Sequence, residues 1–129
     1  MTKKHNTNTV LVIEDDPKIL QFVTWVLELE GYHVLQAQDG NEGLRLARER
    51  QVALVLLDPR LPGLDGRSVL KEIKSSLELA ALPVVVFTAS IAVKEQKRAL
   101  RMGAADYLTK PISASSLGEV VNRICRPKR

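Results

Sequence analysis

Three short apolar runs constrain this chain more than any other feature of its sequence: residues 10–13, 53–57 and 84–87. Each is rich in valine, leucine and isoleucine, and none is interrupted by a polar residue. A strand with one wet face alternates apolar and polar side chains, whereas a strand covered on both faces does not. The runs are too short for buried helices and end at turn residues. They point to a parallel sheet with helices packed on each side.

The stretches between the runs supply those helices. After residues 10–13, Asp16 is a suitable N-cap and Pro17 suits the first helical position. Leu20, Val23, Val26 and Leu27 follow at helical spacing, and Gly31 stops the helix. Residues 33–37 make a more alternating second strand. Asp39, Gly40 and Asn41 form a turn and cap before a helix from about 42 to 49. The third strand ends at Asp58, followed by a loop with four breakers: Pro59, Pro62, Gly63 and Gly66. A third helix is predicted at about 67–74. The fourth strand ends at Thr88, and a fourth helix at 93–102 closes at Gly103. A short fifth strand at 107–109 leads into Lys110-Pro111, and Ser113 can cap a last helix carrying Leu117, Val120, Val121 and Ile124. Strand and helix thus alternate five times. Right-handed crossovers make such a chain a doubly wound α/β fold, with ligands outside the carboxyl ends of the strands.

A length of 129 residues suits one domain with one core. No apolar run approaches the ~20 residues that span a bilayer, and the polar start does not read as a signal peptide. The net charge of +4 invites a nucleic-acid reading, but its distribution weakens it. Lys3, Lys4, Arg123, Arg126, Lys128 and Arg129 lie toward the ends, and setting them aside leaves 13 of the 19 basic residues against 15 acidic ones. Residues 9–125 are expected to form the domain, with 1–8 and 126–129 as flexible basic tails. The lone Cys125 reads as a helix-face cysteine in a reducing cytoplasm, Trp25 as helix-face packing and His33 as solvated.

The strand ends carry the chemistry. A parallel sheet brings Glu14, Asp15 and Asp16, then Asp58, Thr88 and Lys110, to one edge. Carboxylates ~4 Å apart repel by several kcal/mol at a surface dielectric. Either some stay protonated or a cation lies among them, and oxygen donors of this type suit Mg²⁺. The acidic turn after strand one is not a G-x-G-x-x-G phosphate site, and the chain has no G-x-x-x-x-G-K-[ST]. Asp58 beside a metal is a competent nucleophile toward phosphorus. Lys110 and Thr88 can then neutralise and hold the transferring oxygens.

The segments Val-Leu-Val-Ile-Glu-Asp-Asp-Pro at 10–17, Leu-Val-Leu-Leu-Asp-Pro-Arg-Leu-Pro-Gly-Leu-Asp-Gly at 54–66, Val-Val-Phe-Thr-Ala-Ser at 85–90 and Asp-Tyr-Leu-Thr-Lys-Pro at 106–111 resemble response-regulator receiver domains. The resemblance covers about residues 9–125. It implies a flavodoxin-like sheet of order 2-1-3-4-5, a cis Lys110-Pro111 bond, and Asp58 as acceptor of a phosphoryl group from a sensor histidine kinase. It implies Asp15, Asp58 and the Arg60 carbonyl as Mg²⁺ ligands, with Glu14 acting through metal-bound water. Lys110 and Thr88 match the charge partner and sensing hydroxyl, the amides of Arg60 and Ala89 match phosphate donors, and Tyr107 matches an aromatic that turns inward with Thr88. Such a domain catalyses only its own phosphorylation and dephosphorylation.

Pro59 departs from the family, which usually has an ordinary apolar residue there; the expected amide donor is residue 60, so the site should survive. Arg60 stands where the family tunes dephosphorylation. Lys97, Arg98 and Arg101 on the fourth helix, with Asp106, Glu119 and Arg123, resemble the charged face by which many receivers dimerise on phosphorylation or dock an output protein. No direct contact with nucleic acid or membrane is expected. A protein-binding module that keeps the fold without phosphorylation is the alternative; the full set Asp15, Asp58, Thr88 and Lys110 argues against it. An α/β enzyme with an aspartyl intermediate would need a substrate cap, and the loops are too short for one.

Overall fold

A computed structural model describes residues 8–89 and 93–126. The chain alternates β1 (Thr9–Ile13), α1 (Pro17–Leu29), β2 (His33–Ala37), α2 (Gly40–Glu49), β3 (Leu54–Leu57), α3 (Gly66–Ser75), β4 (Val84–Thr88), α4 (Val93–Arg101), β5 (Asp106–Thr109) and α5 (Ala114–Cys125). All neighbouring strands are parallel, in the order β2-β1-β3-β4-β5. This is the doubly wound, flavodoxin-like α/β sheet expected. Every residue of β1, β3 and β4 is buried, while β2 and β5 are partly exposed. The more polar strands are thus the two edges, and the uninterrupted apolar runs fill the centre.

Alternation along each central strand divides the core in two. Val10, Val12, Leu54, Leu56, Val85 and Phe87 pack with α1 and α5. Leu11, Ile13, Val55, Leu57, Val84 and Val86 pack on the other face with residues of α2 and α3. Among the described residues no helix is long and apolar enough to cross a membrane.

Helix starts follow the capping rule. The Asp16 carboxylate accepts from the amides of Lys18 (2.9 Å) and Ile19 (3.4 Å), so α1 begins at Pro17. Helices α2 and α3 begin earlier than the glycines suggested, because Asp39 and Asp65 cap them and Gly40 and Gly66 lie in their first turns. Both glycines permit a close approach. A Cβ on Gly40 would stand 2.2 Å from the Leu64 carbonyl oxygen, and one on Gly66 would stand 2.3 Å from Pro59 Cα. The loop after Asp58 is therefore pressed against two helix N-termini.

The far end of the fold is tied by polar contacts. Buried Tyr32 donates to Asn122 Oδ1 at 2.6 Å, and Asn122 donates to Glu30 at 2.9 Å. Arg126 lies 4.5 Å over the Tyr32 ring, and the Asn8 carbonyl accepts from the His33 amide at 2.7 Å. These two residues, expected in the tails, are thus engaged with the domain; residues 1–7 and 127–129 lie outside the described residues. Tyr32→Phe is expected to cost about 1 kcal/mol by removing one hydrogen bond, read as a lower urea midpoint at constant slope. Cys125 is half-buried and burial pushes its thiol up to about 11, which keeps it protonated. Trp25 departs from expectation. It is 57% exposed and joins Phe22 and Leu29 in an apolar stripe on the outside of α1.

Candidate functional site

Glu14 and Asp58 are the first residues beyond β1 and β3, which pair with Ile13 opposite Leu57. Two further backbone bonds hold them there: the Glu14 amide to the Ala37 carbonyl (2.9 Å) and the Asp58 amide to the Ile13 carbonyl (3.0 Å). Both side chains are buried, with Glu14 1% and Asp58 5% exposed. Asp15 stands beside them, exposed. Carboxylate oxygens of Glu14, Asp15 and Asp58 lie within 4.8 Å of one another.

Lys110 answers this concentration of charge. Its backbone amide bonds the Thr88 carbonyl at 2.8 Å, which fixes it at the end of β5. Its ammonium donates to Glu14 Oε1 at 2.7 Å and to Asp58 Oδ2 at 3.0 Å. The same Nζ lies 4.9 Å from the centre of the Phe87 ring. Burial works against the ammonium, but the hydrogen bonds to Glu14 and Asp58 outweigh it and its pKa is raised. For Glu14 burial wins: its carboxyl is pushed up to about 7, although the bonds from Lys110 and the Asp16 amide pull it back. Three carboxyl groups face a single ammonium here, so the acids outnumber the one cation that bonds them. Three convergent oxygen donors fit a hard divalent cation such as Mg²⁺.

The remaining expected residues fall into two groups. At the pocket, the Arg60 amide donates to Asp58 Oδ1 at 2.9 Å, so Pro59 does not disturb it; Pro59 instead accepts from the Gly66 amide at 3.0 Å. Ala89 is exposed just past β4, and the Lys110-Pro111 bond is cis. Buried Thr88 and half-buried Tyr107 line one small cavity of about 40 Å³ with Leu70, Ala99 and Met102. Away from the pocket, Lys97, Arg98, Arg101 and Glu119 are exposed, and Asp106 pairs with Arg123. Ser90 lies outside the described residues. The Phe87 ring beneath Lys110 and the cavity were not anticipated. Alternation along β4 puts Phe87 in the core, but nothing in the sequence aims Lys110 across it.

Fold and pocket define a flavodoxin-like domain whose carboxyl-end edge holds three acids, two of them bridged by a lysine. A profile described as the response regulator receiver domain matches residues 10–122, and this chain belongs to that family. Protein PilH of Pseudomonas aeruginosa is 33% identical over 115 residues, covering 89% of this chain and 95% of PilH. The probable transcriptional regulatory protein TcrX of Mycobacterium tuberculosis is 38% identical over 116 residues, covering 90% of this chain but 47% of TcrX. The chain thus spans about half the length of such regulators. Among solved structures, the receiver domain of Francisella response regulator 1452 superposes with a TM-score of 0.87 at 33% identity, covering 95% of this chain and 99% of that one. The receiver domain of sensor histidine kinase PA1611 from Pseudomonas aeruginosa, which has magnesium coordinated in its active-site cleft, gives 0.84 at 30% identity, covering 92% and 97%.

Proposed function

We propose that Asp58 accepts a phosphoryl group from the phosphohistidine of a sensor histidine kinase in a Mg²⁺-dependent reaction, and that the phosphorylated domain signals to an output partner. The observation that carries this reading is the Lys110 ammonium shared between Glu14 and Asp58, beside a third carboxylate. Asp15, Asp58 and the Arg60 carbonyl would hold the ion directly, with Glu14 acting through its water. Bound there, Mg²⁺ supplies positive charge to the acids and to a phosphoryl oxygen.

The chain's own groups do the rest. An Asp58 carboxylate oxygen attacks phosphorus, the phosphorus–nitrogen bond to the donor imidazole breaks, and an acyl phosphate forms. Lys110 stays within reach of Asp58 and takes one phosphoryl oxygen. The Arg60 and Ala89 amides and the Thr88 hydroxyl take the others, so catalysis is largely positioning and charge neutralisation. Thr88 and Tyr107 share a cavity wall with α4 residues, which supports a relay from the phosphate toward the face made by α4, β5 and α5. On this reading the domain works in the cytoplasm and is not an enzyme acting on a separate substrate.

With Mg²⁺ and acetyl phosphate, intact mass is expected to show one phosphate adduct that is lost on adding a chelator beforehand and absent from Asp58→Asn. An adduct that persists in that variant would place the acceptor elsewhere. No adduct on the parent chain would leave a protein-binding module without phosphorylation.

A further inference from the structure

Among the described residues only two buried side chains carry a ring, Tyr32 and Phe87, and each lies under a cation. The other buried apolar side chains are all Val, Leu, Ile or Ala. Bulk alone does not call for a ring at position 87, since Val10, Val12, Leu56 and Val85 fill the same face of the sheet. Lys110 sets this position apart. Phe87 pairs with Leu108, both in the core facing α1 and α5, and Lys110 follows Leu108 by two residues. The Lys110 amide is bonded to the Thr88 carbonyl, one residue past Phe87. The lysine therefore starts beside β4 and crosses its end to reach Asp58 beyond β3 and Glu14 one strand further. On that path its Nζ lies 4.9 Å from the centre of the Phe87 ring, which is fully buried. The electron-rich face of an aromatic ring attracts an ammonium at this distance, more strongly where water is excluded.

Of these three neighbours of the ammonium, the ring is the one that the reaction leaves unchanged. Glu14 and Asp58 share their charge with a divalent cation when one is bound, and Asp58 gives up an anionic oxygen altogether when that oxygen bonds phosphorus. Both hydrogen bonds that hold Nζ thus weaken just as a phosphoryl oxygen needs it. We infer that Phe87 is a positioning residue for phosphoryl transfer: its ring face holds the Lys110 ammonium over the end of β4, aimed at Asp58, while the charges of the two acids change. The inference rests on the phosphoryl-transfer reading above and adds to it a residue from the apolar core. The ring acts only through Lys110.

Fluorine withdraws electron density from a ring face and leaves its size nearly unchanged. Phenylalanine carrying one, two or three fluorines is placed at position 87 of the whole chain by codon suppression, which leaves Phe22 untouched. With saturating Mg²⁺ and acetyl phosphate, Asp58 attacks phosphorus, acetate leaves, and the adduct is followed by intact mass. Its rate of formation should fall with each fluorine, by roughly 3- to 10-fold over the series, as loss of a desolvated cation–π contact requires. Melting temperatures should stay level, because the core volume is kept. A second measurement needs neither phosphate nor metal. The ε-methylene protons of Lys110, beside the ring, should resonate upfield of those of the exposed lysines and return to that range in Phe87→Leu. Rates that ignore fluorine, rates that fall only where the melting temperature falls, or Lys110 protons at the ordinary position would overturn the inference alone. A parent chain that takes no phosphate, with those protons still upfield, would sink the phosphoryl-transfer reading and this role with it.

Discussion

Gly66→Ala is expected to destabilise the domain by about 3 kcal/mol, far more than most exposed-loop substitutions. The added Cβ would lie 2.3 Å from Pro59 Cα and 2.5 Å from the Asp58 carbonyl oxygen. Both are backbone atoms of the segment that carries the acceptor, and that segment cannot retreat. Asp58 is held by its amide bond to Ile13, and the loop is closed by the Gly66 amide on Pro59. Two other glycines separate this clash from the loss of a glycine as such. Gly63 has φ +71 but open space around it, so Gly63→Ala carries left-handed strain alone, about 1 kcal/mol. At Gly43 the clash is with a side chain, Ile13 Cδ1 at 2.4 Å and Cγ1 at 2.9 Å, and not with backbone. Urea midpoints should therefore fall furthest for Gly66→Ala. Whatever fraction stays folded should take phosphate from acetyl phosphate more slowly, because the Asp58 backbone and the Arg60 amide on its carboxylate have moved. Equal midpoints for Gly66→Ala and Gly63→Ala would show that the loop yields freely.

That contrast also explains what could be read from the sequence. The central strands were legible because burial on both faces forbids polar interruption, and the two more polar strands fall at the edges for the same reason. The acids and Lys110 were legible because strand ends in a parallel sheet converge on one edge. Gly40 was read as a turn residue and Gly66 as a breaker, and their service to a close backbone approach depends on a loop folded back from elsewhere in the chain. Trp25 was read as packing, since helical spacing fixes a face of α1 without showing whether anything covers it. Two residues of the same type, Glu14 and Glu95, end 1% exposed and at the surface, respectively. Only the strand register, Ile13 opposite Leu57, sets Glu14 beside Asp58 and under Lys110. Its perturbed ionisation is therefore a property of tertiary structure.

That ionisation fixes the sign of the response to pH and metal. Burial, with the Asp58 carboxylate adding to it, lifts the Glu14 carboxyl from 4.5 to about 7, against the pull of Lys110 and the Asp16 amide. The folded state thus binds this proton more tightly than the unfolded chain does. The stability linked to it is complete below about 4.5 and is lost as pH rises through about 7. In metal-free buffer, this group should lower the melting temperature between pH 5 and 8. A divalent cation prefers the acids deprotonated, so its binding must displace the Glu14 proton on the acidic side of 7 and need not do so above it. The rise in melting temperature produced by ~10 mM MgCl₂ should therefore be larger at pH 8 than at pH 5.5. Glu14→Gln removes the titrating group and should flatten both trends, while Lys110 keeps its bond to Asp58. A magnesium increment that is the same at both pH values in the parent chain would mean that no proton leaves the pocket when the ion enters.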